Sequence, residues 1–207
     1  MAANNPSAGP APVMHTQEAT PAIADPAPLG LAGFGMTTAL LMFINIGMIG
    51  AGATTAVLPM AAAYGGLGQL LAGMWAFKRG NTFAATAFSS YGLFWISYYL
   101  LVGVWAKTVT PADASPIIGL YLFLWGIFTA YMFIASLAGT KAVMVVFFLL
   151  AVTFIILAIG VWANNAPGHG WTQLGGIVGL LTAIAAFYTS FADVTNASFK
   201  RIVLPTN

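Results

Sequence analysis

Long apolar blocks separated by short polar breaks follow one another along the chain from residue 28. Each block is close to the roughly 20 residues that an α-helix needs to cross about 30 Å of hydrocarbon. The period-two alternation of a membrane β-barrel is absent, and lipid admits only helices or closed barrels. The pattern therefore predicts an all-α membrane protein with six transmembrane helices, at residues 29–50, 57–77, 83–105, 117–137, 143–162 and 174–191.

Composition supports a lipid setting. Hydrophobic residues make up 60% of the chain and charged residues 5%, whereas soluble domains are about a quarter charged. Because so few ionic groups cannot cover a surface that faces water, we expect the protein to lie in a lipid bilayer. We expect three regions: a disordered, proline-rich cytoplasmic tail at residues 1–27, a six-helix transmembrane domain at 28–195, and a short cytoplasmic C-terminal tail at 196–207.

The basic residues predict the orientation. All but one of them follow the second, fourth and sixth predicted spans, and only Lys107 lies on the other side. Because Lys and Arg concentrate in cytoplasmic loops, both termini are predicted to be cytoplasmic. The short loops and the lack of a transit peptide favour a multi-pass protein of a cell inner (plasma) membrane. The residues on the cytoplasmic side are Lys78, Arg79, Lys141, Lys200 and Arg201.

The lack of cysteine and the small numbers of histidines and charged residues also exclude several functions. The chain has no cysteine and only two histidines, which are not at metal-ligand spacing, so no metal site, cofactor or enzyme activity is predicted. Six basic residues are too few for a nucleic-acid-binding patch. Asp193, expected just past the last span, is the only carboxylate near the edge of the bilayer. A buried carboxylate relay for protons therefore has almost no candidates.

Uncharged polar residues and glycines interrupt the first three spans. A hydroxyl or amide in lipid needs a partner, which is either another helix or a substrate. Gly65, Gly66 and Gly68 fall in the middle of the second span and predict an unwound segment beside a cavity. The stiff segment 25–28 should aim the N-terminus of the first helix inward, where helix dipoles can attract a carboxylate.

Several strings at these positions resemble the acetate uptake transporter family, also described as succinate-acetate permeases. The resemblance covers the chain after its N-terminal tail. The matching strings are DPAPLGL at 25–31, GFGMTT at 33–38, YGG at 64–66 with Gln69, GNTF at 80–83, TAFSSYG at 86–92, WGIFT at 125–129 and VLP at 203–205.

The resemblance implies six helices per protomer, a hexameric assembly and a separate acetate path through each protomer. It places an apolar constriction of the path at Phe34, Tyr91 and Leu137. It also implies four polar path residues that would bind substrate, namely Thr37, Thr38, Asn45 and Gln69.

Two departures from the family pattern bear on selectivity. Asp25 stands where the family usually has Asn, which retains a capping acceptor but adds a negative charge at an anion entrance. Ala-Ser-Leu stands at 135–137 in place of Gly-Thr-Leu.

The leading hypothesis is a transporter or channel for acetate and related short carboxylates, with succinate as a further candidate. The shortage of buried carboxylates favours channel-like passage or passage together with the acid's own proton. The uncharged path also suits a pore for a neutral solute such as urea, an amide or water. Residues 25–27 are similar to an aquaporin signature, but its second copy is reduced to 165–167 in a loop. A membrane scaffold that transports nothing is the third hypothesis.

Overall fold

The computed structural model describes residues 23–207. Its α-helices are α1 (Ala27–Asn45), α2 (Val57–Ala62), α3 (Gln69–Lys78), α4 (Thr82–Gly103), α5 (Pro111–Ser136), α6 (Lys141–Trp162) and α7 (Gly170–Phe199). A 3-10 turn at Ala51–Ala56 precedes α2, and a π-helical turn at Ala63–Gly68 joins α2 to α3, so that Ala51–Lys78 forms one span. The described residues thus contain six spans long and apolar enough to cross a membrane. The predicted all-α fold is confirmed; most of the predicted tail lies outside the described residues.

Local capping explains where the helices begin. The side chains of Asn81, Thr110 and Thr140 accept hydrogen bonds from backbone N–H groups in the first turns of α4, α5 and α6. Thr110 together with Pro111 starts α5 six residues before the predicted position. The predicted start of this span at residue 117 was therefore wrong. Pro116 lies inside the helix, where it removes one backbone hydrogen bond close to an exposed end.

The last helix is longer than predicted. It continues to Phe199 and ends at Lys200, which adopts a left-handed conformation with φ of 54°. Asp193, expected beyond the last span, is therefore part of α7. Four residues assigned to the C-terminal tail, 196–199, are helical as well.

The spans pack side by side around a common interior. α1 lies along α7, α7 along α6 and α6 along α5, while α3 lies along α4. α1 also packs against the π-helical turn. Large apolar side chains on the outer surface are exposed, among them Phe77, Leu124, Ile134 and Phe148. A bundle with this surface is suited to contact with lipid or with other protomers.

The glycines of the second span do not unwind it. The backbone stays helical there, with a π-helical turn over Ala63–Gly68. A Cβ atom on Gly65 would lie within 2.9 Å of the Thr37 side chain, and one on Gly92 of α4 would lie 2.7 Å from the carbonyl oxygen of Gly66. These glycines therefore permit close helix packing. They do not line the interior cavity described below, so the predicted unwound segment beside a cavity was wrong.

Candidate transport cavity

One cavity of about 940 Å³ enters the bundle from the end where α1 starts and α7 finishes. We call its exposed rim the mouth, which is lined by Asp25, Asn81, Thr140, Asp193 and Asn196. Its inner end, which we call the constriction, is lined by Phe34, Tyr91, Phe147 and Leu150. All four constriction residues are buried. The segment before α1 and the ends of four spans thus surround the mouth, which leads inward to the apolar constriction.

Three aromatic rings from three helices form most of the constriction. The ring centroids of Phe34 and Tyr91 lie 6.1 Å apart at an interplanar angle of 53°. Phe147 contributes a third ring, 6.0 Å from that of Tyr91. Leu150 lies one turn further along α6 and is only 4% exposed. An arrangement of this kind excludes hydrated ions because it offers them no replacement for their water shell.

The hydroxyl group of Tyr91 is engaged within the protein. It lies 2.9 Å from the Thr129 hydroxyl oxygen. Thr129 gives its only hydroxyl hydrogen to the carbonyl oxygen of Trp125, at 2.7 Å, so Tyr91 is the donor between the two hydroxyls. The hydrogen bond fixes the ring orientation and leaves the Tyr91 proton unavailable to a substrate.

Gln69 brings a polar group to the cavity. Its side chain is 1% exposed, and its Oε1 atom has no hydrogen-bond partner among the described residues. Gln69 lines the cavity together with Phe34 and Tyr91. Since buried carbonyl oxygens almost always accept a hydrogen bond, this oxygen is suited to a donor that enters the cavity.

The other predicted polar path residues do not line this cavity. Thr37 donates to the Gly33 carbonyl oxygen at 2.8 Å and packs against Gly65. Thr38 is buried one helical turn beyond Phe34, and its hydroxyl has no hydrogen-bond partner among the described residues. Asn45 lies at the far end of α1, where its carbonyl oxygen accepts from the Gly168 N–H at 2.8 Å.

Leu137 also lies outside the cavity lining. Its side chain is 56% exposed and follows the end of α5, so it is not brought to Phe34 and Tyr91. The leucine that joins the two rings is Leu150 of α6. Sequence reasoning missed it, and the pattern carries no signal for it, because the middle of α6 is apolar on every side except at Thr153.

The mouth carries more negative than positive charge. Asp25 caps the start of α1 by accepting from the Ala27 N–H at 3.0 Å, and it pairs with Arg79 at 3.6 Å. Arg79 also donates to the Ile23 carbonyl oxygen at 3.2 Å, which fastens the segment before α1 to the α3–α4 turn. Asp193 lines the mouth from α7, and no Lys or Arg is among the described lining residues.

Comparison with known proteins gives consistent matches over most of the chain. Residues 7–207 match the model of the GPR1/FUN34/yaaH family. The succinate-acetate/proton symporter SatP of Escherichia coli K12 is 42% identical over 183 residues, which cover 88% of this chain and 95% of that protein. Acetate permease A of Emericella nidulans is 38% identical over 194 residues, covering 88% of this chain and 65% of that protein.

A solved structure extends the similarity to three dimensions. The structure of the bacterial acetate channel SatP matches with a TM-score of 0.82 and 41% identity. The match covers 90% of this chain and 100% of that one. Sequence and structure agree, and the chain belongs to the GPR1/FUN34/yaaH family.

Proposed function

We propose that this protein is a membrane transporter or channel for acetate and related short carboxylates, including succinate. The observation that carries the proposal is the cavity of about 940 Å³ that leads from a polar mouth to a buried constriction of three rings and a leucine. The relatives named above are a symporter, a permease and a channel, none of them an enzyme.

Passage of the acid together with a proton suits the lining of the cavity. A carboxylate anion would lose much of its hydration at the constriction without meeting a cation there. The protonated acid is neutral, and its hydroxyl group can donate to the free Oε1 atom of Gln69. We therefore favour proton-coupled passage over diffusion of the bare anion.

Labelled-acetate uptake into liposomes containing the purified protein tests the proposal. We expect uptake above that of empty liposomes, and competition by propionate but not by urea. Equal uptake by liposomes with and without the protein would contradict transport. It is the result that the scaffold hypothesis predicts. Competition by urea would favour the pore for neutral solutes instead.

Substitution of two leucines tests the position of the constriction. Leu150→Ala opens the constriction and should change acetate flux or the size limit for larger carboxylates several-fold, because it removes a buried wall of the path. Leu137→Ala is the matched control and should leave flux within about twofold of wild type, because that side chain lies outside the cavity. If Leu137→Ala changed acetate flux and Leu150→Ala did not, the path would pass Leu137 at the end of α5 and not Leu150.

The proposal extends to a homo-hexamer with one path in each protomer and both termini in the cytoplasm. The exposed apolar side chains support extensive contacts with lipid and with other subunits. Native mass spectrometry of the detergent-solubilised protein measures the number of subunits. Because the chain lacks cysteine, Ser198→Cys provides a single thiol whose reaction with an impermeant maleimide reports on which side α7 ends.

A further inference from the structure

Asp193 is a carboxyl group at the mouth that the described structure leaves unengaged. It lies in the last two turns of α7, is partly exposed and lines the cavity. No hydrogen bond or ion pair joins its side chain to another described residue. Asp193 therefore has access both to solvent and to the cavity.

The other titratable groups that line the cavity are engaged elsewhere. The Asp25 side chain is paired with Arg79 and accepts a hydrogen bond from the Ala27 N–H group. Tyr91 donates its proton to Thr129, as shown above. Among the described lining residues, Asp193 alone remains free to exchange a proton with a substrate.

The groups that face Asp193 across the mouth are mostly uncharged. The segment before α1 presents Asp25, whose negative charge interacts with that of Asp193 and which is paired with Arg79. The α3–α4 turn presents Asn81, the start of α6 presents Thr140, and α7 itself presents Asn196. The cations Lys141, Lys200 and Arg201 do not line the cavity.

A carboxylate that enters this cavity needs a proton before it reaches the constriction. Ionised carboxylates are costly to bury, and they usually become neutral when no partner is present. The carboxyl group of a short fatty acid has a proton affinity close to that of an Asp side chain, so a proton can pass between them with little difference in energy.

We infer that Asp193 is the proton-exchanging residue of this transporter, handing a proton to the substrate carboxylate at the mouth and taking it back in the reverse direction. In the entering step, the O–H bond of the Asp193 carboxyl group breaks and an O–H bond forms on the substrate. The neutral acid then moves toward the constriction. The Asp193 carboxylate then takes a proton from hydronium in the solution at the mouth, which becomes water, so that one proton crosses with each carboxylate.

Asp193→Asn tests this assignment, which rests on the proposed acetate transport. The full-length protein is placed in liposomes, and labelled-acetate counterflow is measured apart from net uptake, with the leak of empty liposomes subtracted. A K⁺ diffusion potential of about 100 mV, positive inside, is then imposed. Wild-type net uptake should not respond to this potential, because the carboxylate and its proton together carry no charge. Asp193→Asn leaves the substrate without a proton donor at the mouth, so counterflow and net uptake should both fall about tenfold, and the net uptake that remains should depend strongly on the potential because it carries the bare anion.

Three further variants separate proton exchange from other roles. Asp193→Glu retains a carboxyl group and should behave as wild type. Asp25→Asn removes the other mouth carboxylate, and Ser198→Ala alters an uncharged lining residue at the same end of α7; both should keep uptake insensitive to the potential. A response to the potential in Asp25→Asn equal to that in Asp193→Asn would assign the effect to overall mouth charge and overturn the inference.

The outcomes also distinguish this inference from the proposed function. Wild-type counterflow no greater than that of empty liposomes would refute acetate transport itself. Normal counterflow combined with potential-driven uptake in the wild type would keep acetate transport and overturn the role of Asp193. Loss of counterflow in both Asp193→Asn and Asp193→Glu, with each eluting as wild type on size exclusion, would make Asp193 a structural residue and overturn the inference as well.

Discussion

At the scale of single residues, the constriction depends on the orientation of one aromatic ring. Tyr91 contacts the rings of Phe34 and Phe147 while its hydroxyl group is anchored on Thr129. The ring forms the barrier, and the hydroxyl holds the ring in position. Substitutions at Tyr91 and Thr129 can therefore separate the barrier from its anchor.

Tyr91→Phe should retain acetate uptake while lowering stability by about 1 kcal/mol, the net value of a typical hydrogen bond. Thr129→Val should be more destabilising, by roughly 1–3 kcal/mol, because it leaves the buried Tyr91 hydroxyl without its acceptor. Thermal unfolding in detergent gives the order of stability. Loss of uptake in Tyr91→Phe, with the fold intact, would mean that the hydroxyl itself contacts substrate.

The Asp25–Arg79 pair sets the charge at the mouth. Both side chains are partly exposed, at 57% and 34%, so the pair adds well under about 1 kcal/mol to stability. Its effect on anion entry should be larger. Asp25→Asn should lower the KM for acetate, and Arg79→Gln should raise it, with both changes shrinking as salt is added. Initial uptake rates at low and high ionic strength measure this, and unchanged KM values in both variants would place anion entry elsewhere.

At the scale of helices, the sequence predicted the spans well because hydropathy alone determines which segments can cross lipid. The sequence prediction failed where a local contact determines where a helix begins or ends. The start of α5 depends on the Thr110 cap, and the extension of α7 carries polar residues such as Asn196 that lower its hydropathy. Gln69 was predicted as a path residue from the family resemblance, and the structure places it in the cavity lining. Leu150 was not predicted, since nothing in an apolar helix marks which leucine faces the path.

The π-helical turn depends on close backbone contacts between the second span and α4. A Cβ atom on Gly92 would lie 2.6 Å from the Leu70 nitrogen and 2.7 Å from the Gly66 carbonyl oxygen, distances that require the backbones to separate. Gly92→Ala should therefore destabilise the protein by about 2 kcal/mol or more. Gly52→Ala is the control, because nothing lies within 4 Å of its Cβ position. Similar melting temperatures for the two variants would show that the helices separate easily.

At the scale of the whole molecule, the C-terminal segment joins two helices beside the mouth. Asn196 accepts from the N–H groups of Val203 and Leu204 at 2.7 and 3.0 Å and donates to the Leu204 carbonyl oxygen at 2.8 Å. Further along, the Thr206 carbonyl oxygen accepts from the Ala142 N–H at 2.9 Å, at the start of α6. The chain end thereby fixes the distance between the α6 and α7 ends that line the mouth.

Asn196→Ala removes three hydrogen bonds at once and should lower stability by about 2 kcal/mol, less than their sum because the site is partly exposed. It should also loosen the mouth. A thiol introduced by Thr140→Cys should then react faster with a thiol reagent when Asn196 is replaced by Ala than when Asn196 is present. Ser198→Ala, at the same end of α7 but outside this network, should change neither quantity. If Asn196→Ala unfolds at the wild-type temperature with unchanged thiol reactivity, the segment merely rests on the bundle, and α6 and α7 are positioned by their own packing.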